Sequence, residues 1–189
     1  MSTQRKGFTL VELSIVLVII GLLIGGVLKG QSMIENGKIK RFASDVNGLV
    51  AATYNYQDKF NALPGDDPQA ATRGCAANGN GNGLLDTAAE RICAYQNLIR
   101  GGFLTGDATQ TTEQTLARQT PFGSYYVFRT LVVNGSNQNV IQTLDLPVPA
   151  SVAQSLDMKY DDGVWNTGDF IANTIYTNTA TKRITWAKF

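Results

Sequence analysis

The sequence has 189 residues, of which 43% are hydrophobic, and a formal charge of +1 from 16 basic and 15 acidic side chains. This near-neutral balance argues against nucleic acid as a main partner. The absence of histidine removes the commonest general base and the commonest transition-metal ligand. We therefore expect no enzyme, but one globular domain with a long accessory element.

The chain begins with a short basic segment, residues 1–7, followed by an apolar run from Phe8 to Leu28 whose single charge is Glu12. At 1.5 Å per residue a helix over this run is about 31 Å long, enough to cross the hydrocarbon core of a bilayer. No small-residue cleavage site follows the run, so we expect it to be retained. Arg5 and Lys6 favour a cytoplasmic N-terminus, although basic residues beyond the run oppose this assignment.

Glu12 is unusual because a carboxylate early in a membrane helix costs about 3 kcal/mol and usually marks function. An acid that snorkels to the membrane face is the alternative. The surrounding sequence KGFTLVEL, residues 6–13, closely resembles the processing site of type IV prepilins and type II secretion pseudopilins. The resemblance implies that a membrane peptidase cuts between Gly7 and Phe8 and methylates Phe8. It also implies that Glu12 pairs with the Phe8 amine of a neighbouring subunit.

The same resemblance implies a structural subunit of a type IV pilus, with a type II secretion pseudopilus or a minor tip subunit as alternatives. A tip subunit would bind DNA, a surface or a secreted substrate. The precursor would lie in the bacterial inner membrane with its globular part in the periplasm, and would move into a pilus or periplasmic pseudopilus. Implied partners are further copies of the chain, the prepilin peptidase and methyltransferase, an inner-membrane assembly platform with its ATPase, and an outer-membrane secretin.

Beyond the apolar run, hydrophobic residues recur mostly at spacings of three and four, which predicts an amphipathic helix. They are Ile34, Ile39, Phe42, Val46, Leu49, Val50, Ala52, Tyr56 and Phe60. We predict one helix from Phe8 to about Asn61, roughly 80 Å long, which ends before Pro64 and Gly65. The chain then divides into a leader (1–7), a membrane or filament-core helix (8–28), an amphipathic continuation (29–61) and a head domain (62–189).

Four glycines, at positions 21, 25, 26 and 30, interrupt the predicted helix. Each weakens a helix by about 1 kcal/mol relative to alanine unless packing compensates. Many pilins have proline where this chain has Lys29, in a region that is often partly melted in filaments. The glycines are therefore predicted either to take over that loosening or to allow close helix packing.

The head domain is predicted to be α+β. Thr87–Arg100 reads as a helix with a capping box to Glu90, and Val148–Leu156 as a short helix behind Pro149. Alternating apolar patterns predict strands at Ser124–Val133, Val140–Leu146, Phe170–Thr177 and Arg183–Lys188, with a hairpin turn at Asn134-Gly135-Ser136. We expect a pilin-like fold, in which a small antiparallel sheet packs against the long helix.

The only two cysteines are Cys75 and Cys93. An isolated pair in an exported chain predicts one disulfide, which would stabilise the fold by roughly 3 kcal/mol. Two unrelated buried thiols are the alternative.

Two loops contain oxygen ligands that could bind calcium, and calcium is the one cofactor that we consider. Alternating oxygen ligands at Asn78, Asn80, Asn82 and Asp86 partly match a calcium loop, although a flexible surface loop is favoured. Asp161, Asp162 and Asp169 form an acidic cluster that could hold calcium, as some pseudopilins do near the C-terminus. Turns satisfied by their own backbone are the alternative.

A basic and aromatic edge near the C-terminus could bind DNA; it consists of Lys182, Arg183, Trp186 and Lys188. A strand that alternates solvated lysines with core-facing apolar groups is the favoured interpretation, so DNA is not an expected partner.

Overall fold

The structure is a computed structural model that describes residues 7, 9–133, 135–144, 148–176 and 184–186. It divides into two compact units, Met1–Gly37 and Lys38–Phe189. The elements in chain order are α1 Leu10–Phe60, a 3-10 turn Ala70–Arg73, α2 Ala88–Arg100, α3 Glu113–Leu116, β1 Tyr125–Val133, β2 Ser136–Leu144, α4 Ala150–Tyr160, β3 Phe170–Ala172 and β4 Ile184–Trp186. The predicted α+β class, a long N-terminal helix with a small antiparallel sheet, is confirmed.

Within the first unit, α1 begins at Leu10 and continues without a break through all four glycines. Phe8, where we predicted the helix to start, lies outside the described residues. None of the residues described between Leu10 and Gly37 is buried. Ile34, the first residue of the predicted amphipathic pattern, is 63% exposed, and the buried face begins at Ile39.

Within the second unit, α1 has nine buried residues, of which seven belong to the hydrophobic core. Phe42 is the centre of an aromatic cluster, with its ring centroid 5.2 Å from that of Tyr126 and 6.5 Å from that of Trp186. The helix ends at Phe60, and Asn61 has a positive φ of 52°. This agrees with the predicted end at about Asn61, before Pro64 and Gly65, which are both buried.

The four strands form one antiparallel sheet in the order β1-β2-β4-β3. Val133 pairs with Ser136, which leaves a two-residue turn with Gly135 at φ 80°; Asn134 lies outside the described residues. β2 begins at Ser136, four residues before the predicted start, because the polar residues 136–139 also pair with β1. Trp186 in β4 is opposite Ile141 on one side and Phe170 on the other.

The remaining boundaries differ from prediction by a few residues. α4 extends to Tyr160, beyond the predicted end at Leu156, and β3 ends at Ala172 rather than Thr177. β2 ends at Leu144, and the residues predicted to extend it lie outside the described part, as do Thr177, Arg183 and Lys188.

The capping box of α2 is present. Glu90 N donates to the Thr87 hydroxyl, and Thr87 N donates to the Glu90 carboxylate. Gly102, just beyond the helix, has a φ of 81°, which favours glycine at that position.

Candidate functional site

The N-terminal motif starts with an exposed glycine and the first turn of α1. Among the described residues, none has a heavy atom within 4 Å of the position that a Cβ of Gly7 would take. The backbone N and the hydroxyl of Thr9 both donate to Oε2 of Glu12, each over 2.8 Å, and Glu12 N donates to the Thr9 hydroxyl over 3.3 Å. Thr9 and Glu12 therefore form a capping box for α1. We did not predict this feature, although a threonine three residues before a glutamate is its usual signal.

One carboxylate oxygen of Glu12 has spare capacity to accept hydrogen bonds. Both Thr9 donors bond to Oε2, and no described residue donates to Oε1. A carboxylate offers about four lone-pair positions, so the capping box fixes the side chain without saturating it. Phe8, the other predicted member of the site, lies outside the described residues.

Between Leu13 and Leu28 the helix surface is apolar on all sides apart from Ser14. Every large hydrophobic side chain from Leu10 to Leu28 is at least 45% exposed. The helix is long and apolar enough, by length and composition, to cross a membrane. Because each Leu, Ile or Val side chain gains about 1.5–3 kcal/mol on burial, this surface has a strong tendency to be covered by lipid or protein.

Comparison with known proteins identifies this segment. Residues 2–28 match the family described as the prokaryotic N-terminal methylation motif. The match covers the N-terminal segment alone, and no curated protein and no solved structure matches the chain. The chain therefore carries a prepilin-type signal motif. Together with the α+β architecture of the described residues, this places a prepilin-type segment on a pilin-like fold.

The head domain contains the disulfide that the sequence predicts. Cys75 is bonded to Cys93, with their Cα atoms 5.5 Å apart. Both cysteines are buried and pack with Ala70 in a small apolar cluster. The bond fixes the loop after the 3-10 turn to the middle of α2.

The asparagine-rich loop folds around a buried carboxylate. Asp66 is 3% exposed, and its two carboxylate oxygens accept hydrogen bonds from Gly81 N and Gly83 N, both over 2.6 Å. A Cβ at Gly79 would lie 2.2 Å from the carbonyl carbon of Asp66, so only glycine allows this close approach.

The side chains considered as calcium ligands there are hydrogen-bonded within the loop and to the 3-10 turn. The carbonyl oxygens of Asn78, Asn80 and Asn82 accept hydrogen bonds from Ala71 N, Asn82 N and Leu84 N, and Asn82 Nδ2 donates to Asp86. This agrees with the favoured interpretation of a surface loop. The loop is held from inside by Asp66.

The C-terminal acidic cluster differs in membership from the prediction. Asp157, Asp161 and Asp162 each place one carboxylate oxygen within 4.8 Å of the others, and Asp169 does not join them. Asp157 was not predicted, because it lies on α4 and only the fold brings it to the loop.

The cluster is already hydrogen-bonded to its own loop. Asp157 accepts from Gly163 N and Tyr176 Oη over 3.0 and 2.6 Å, and Asp161 accepts from Phe170 N over 2.7 Å. Asp162 accepts from Val164 N and the Thr167 hydroxyl. Burial raises the pKa of Asp157, and the charges of its two neighbours raise it further, against the effect of the Tyr176 hydrogen bond.

The predicted basic and aromatic edge is only partly described. Trp186 is 2% exposed and packs against Phe170, with ring centroids 5.4 Å apart. It therefore belongs to the core, as the favoured interpretation requires, and is not presented to DNA. Lys182, Arg183 and Lys188 lie outside the described residues.

One half-buried ionic cluster was not predicted. Glu113, in the short helix α3, bonds to Arg91 Nε over 2.8 Å and to Arg129 Nη2 over 2.7 Å. Burial by itself raises the pKa of Glu113, but the hydrogen bonds from Arg129 and Arg91 outweigh burial and lower it. Glu113 thus joins α2 to β1. A four-residue helix is too short for hydrophobic periodicity to reveal it.

Proposed function

We propose that this chain is a structural subunit of a type IV pilus or related filament, cleaved after Gly7, methylated at Phe8 and polymerised through its N-terminal helix. The observation that carries the proposal is the methylation motif at residues 2–28. The exposed apolar helix that follows it supports the same function, because it needs a lipid or protein environment.

Glu12 is proposed to bind the Phe8 amine of a neighbouring subunit. Its Oε1 accepts no hydrogen bond from the described residues, while Thr9 holds Oε2, so the carboxylate is positioned in advance. Cleavage creates a cation that needs a partner once the helices leave the membrane. Removing one member of a buried ion pair costs about 3–5 kcal/mol, because the other charge stays buried without a partner.

The test compares Glu12→Ala and Glu12→Gln with Glu35→Ala, an exposed acid on the same helix. All variants are expressed in cells that carry a prepilin peptidase. We expect the mass of the mature chain to show normal cleavage in all three. Filament yield after shearing should fall to background for both Glu12 variants and stay normal for Glu35→Ala.

Normal filament yield from Glu12→Ala would contradict the pairing. A mature protein that still begins at Met1 would overturn the proposed function itself. Because mass and filament yield are measured separately, failure of processing and failure of assembly are distinguishable.

We propose a pilus subunit, with a secretion pseudopilin and a minor tip subunit as the alternatives. The implied partners are further copies, the peptidase and methyltransferase, the assembly platform with its ATPase, and a secretin. Abundance tests the choice, because a bulk subunit dominates sheared filaments whereas a tip subunit is scarce. Loss of secretion rather than of surface filaments in a deletion strain would favour the pseudopilus.

Calcium binding by the C-terminal cluster is a second proposal, favoured by the approach of Asp157, Asp161 and Asp162. These are oxygen ligands of the kind that calcium prefers, and carboxylate oxygens that accept one hydrogen bond keep capacity for another interaction. A calcium ion at 100 times its Kd would stabilise the fold by about 2.7 kcal/mol.

The test is thermal unfolding with calcium, with magnesium as the control ion. The increase in Tm should disappear in Asp161→Ala with Asp162→Ala and persist in Asp169→Ala, which lies outside the cluster. No shift with calcium in the parent chain would end this proposal.

A further inference from the structure

A cavity of about 210 Å³ lies in the second unit beside the C-terminal ends of α1 and α2. The side chains that line it are Tyr56, Lys59, Phe60, Arg73, Asn97 and Arg100. Three of them are cationic and none is acidic. Small-molecule pockets are typically about 300–1,000 Å³, so any ligand of this cavity is small.

Asn97 provides a buried donor at this cavity. Its side chain is 1% exposed, and no residue in the described ranges accepts a hydrogen bond from its Nδ2. Its Oδ1 lies 3.1 Å from Sγ of Cys75, in the disulfide. Leaving a buried donor unpaired costs about 1–3 kcal/mol. A ligand with an acceptor oxygen would remove that cost.

Two of the three cations have no carboxylate partner within the described part of the chain. Arg73 pairs with Asp67, but Arg100 donates to the carbonyl oxygens of Gly74 and Ala108. Lys59 contacts aromatic rings, with Nζ 5.1 Å from the ring centroid of Phe60. The lining is therefore positive and complements an anion.

A different role could explain these charges, because cations near helix C-termini offset the helix dipole. Lys59 lies in the last turn of α1 and Arg100 in the last turn of α2. That role accounts for the two cations. It does not account for a cavity beside a buried amide donor.

The aromatic residues define the other half of the cavity. The rings of Tyr56 and Phe60 pack with centroids 4.5 Å apart, and Arg73 lies over the Phe60 ring at 4.5 Å. Tyr56 is buried, with its hydroxyl bonded to Asp67 over 2.7 Å, so the carbon surface of this wall belongs mainly to the half-buried Phe60. A ligand with a flat apolar body matches it.

We propose that this cavity binds a small organic carboxylate. The carboxylate group lies near Lys59, Arg100 and Asn97 Nδ2, and the apolar body lies against Phe60, which Tyr56 supports from behind. This binding site goes beyond the filament function and does not depend on it.

The test uses 4-fluorobenzoate as the probe and its neutral isostere 4-fluorobenzamide, with the full chain in detergent and ¹⁹F line broadening as the readout. We expect 4-fluorobenzoate to bind with a Kd on the order of 1 mM. Lys59→Gln should weaken binding about two- to fivefold, the range provided by one exposed ion pair. Asn97→Asp, which places a negative charge at the donor, should abolish binding.

Lys40→Gln is the matched control, since it makes the same charge change at an exposed position of α1 far from the cavity. It should leave binding of the probe unchanged. Lys59→Gln keeps the test valid if Asn97→Asp fails to fold, because Lys59 is exposed. Unlabelled benzoate should displace the probe more effectively than inorganic phosphate.

Several results would overturn the proposal. The first is equal binding of 4-fluorobenzoate and 4-fluorobenzamide, and the second is an equal loss of binding in Lys40→Gln and Lys59→Gln. The third is displacement of the probe by phosphate as effective as by benzoate. The fourth is line broadening that neither Lys59→Gln nor Asn97→Asp changes, which would identify uptake of the probe by detergent.

Discussion

Helix α1 contains two stretches with opposite environments. Between Leu10 and Gly37 none of the described residues is buried, whereas between Ile39 and Tyr56 nine residues are. The first stretch contains the prepilin-type motif, and its described side chains are exposed. The fold of the second unit accounts for the buried residues of the second stretch and leaves those of the first stretch to the function proposed above.

The largest expected effect comes from Phe42→Ala. Phe42 is 1% exposed and contacts Phe122, Tyr126 and Trp186 through its ring. Truncation of a buried phenylalanine lowers the free energy of unfolding by about 3–5 kcal/mol. Chemical denaturation followed by tryptophan fluorescence measures it.

Val18→Ala is the control for that substitution, because Val18 is apolar, on the same helix and 62% exposed. Its effect on the same unfolding transition should be within about 0.5 kcal/mol of zero. A loss as large as that of Phe42→Ala would show that the first stretch contributes to the core, and the comparison would fail.

The next largest loss of stability is expected on removal of the disulfide. Replacing both Cys75 and Cys93 with serine opens a loop whose ends are 18 residues apart in sequence. The loop-entropy relation gives a loss of about 3 kcal/mol in the free energy of unfolding. Reductant should destabilise the parent chain by a similar amount and leave the double variant unchanged. Equal sensitivity of both proteins to reductant would contradict the assignment.

A smaller effect is expected for Glu113→Gln. Loss of hydrogen bonds between charged groups should lower stability at pH 7 by about 1.5–3 kcal/mol. The folded pKa of Glu113 lies below its usual value of 4.5, because the arginine hydrogen bonds outweigh burial. Its stabilisation is therefore fully present above about pH 4.5 and is lost as the pH falls through the folded pKa.

The parent chain should thus lose stability below pH 4.5 more steeply than Glu113→Gln, as denaturation midpoints between pH 3 and 7 would show. Glu35→Gln, an exposed acid of the first stretch, should follow the parent curve. Parallel curves for the parent and Glu113→Gln would mean that this carboxylate does not contribute to acid sensitivity.

Features fixed by neighbours in sequence were predictable. The α2 capping box follows from Thr87 and Glu90, and the helix face from the spacing of Phe42, Val46 and Leu49. The capping box of Thr9 and Glu12 has the same signal but was not predicted, because Glu12 was interpreted as a partner for another subunit or as an acid at the membrane face.

Features that join distant segments were not predictable. Glu113 meets Arg91 and Arg129 only after α2, α3 and β1 have packed. Asp157 joins the acidic loop because of where α4 ends, and the amide of Asn97 borders a cavity formed by three elements. Residue type and spacing do not predict contacts between residues that are distant in sequence until the topology is known.

The row of core contacts along α1 has a mechanical consequence. Ile39 and Tyr56 are 17 residues apart, so the buried side chains between them extend over about 26 Å of helix. Tension along the helix axis acts on all of these contacts at the same time, as a shear force. A force that peeled the helix away would instead break them one after another. The Tyr56 hydroxyl, bonded to Asp67, adds a polar attachment at the far end of the row. A subunit built in this way resists axial pulling through many weak interactions at once.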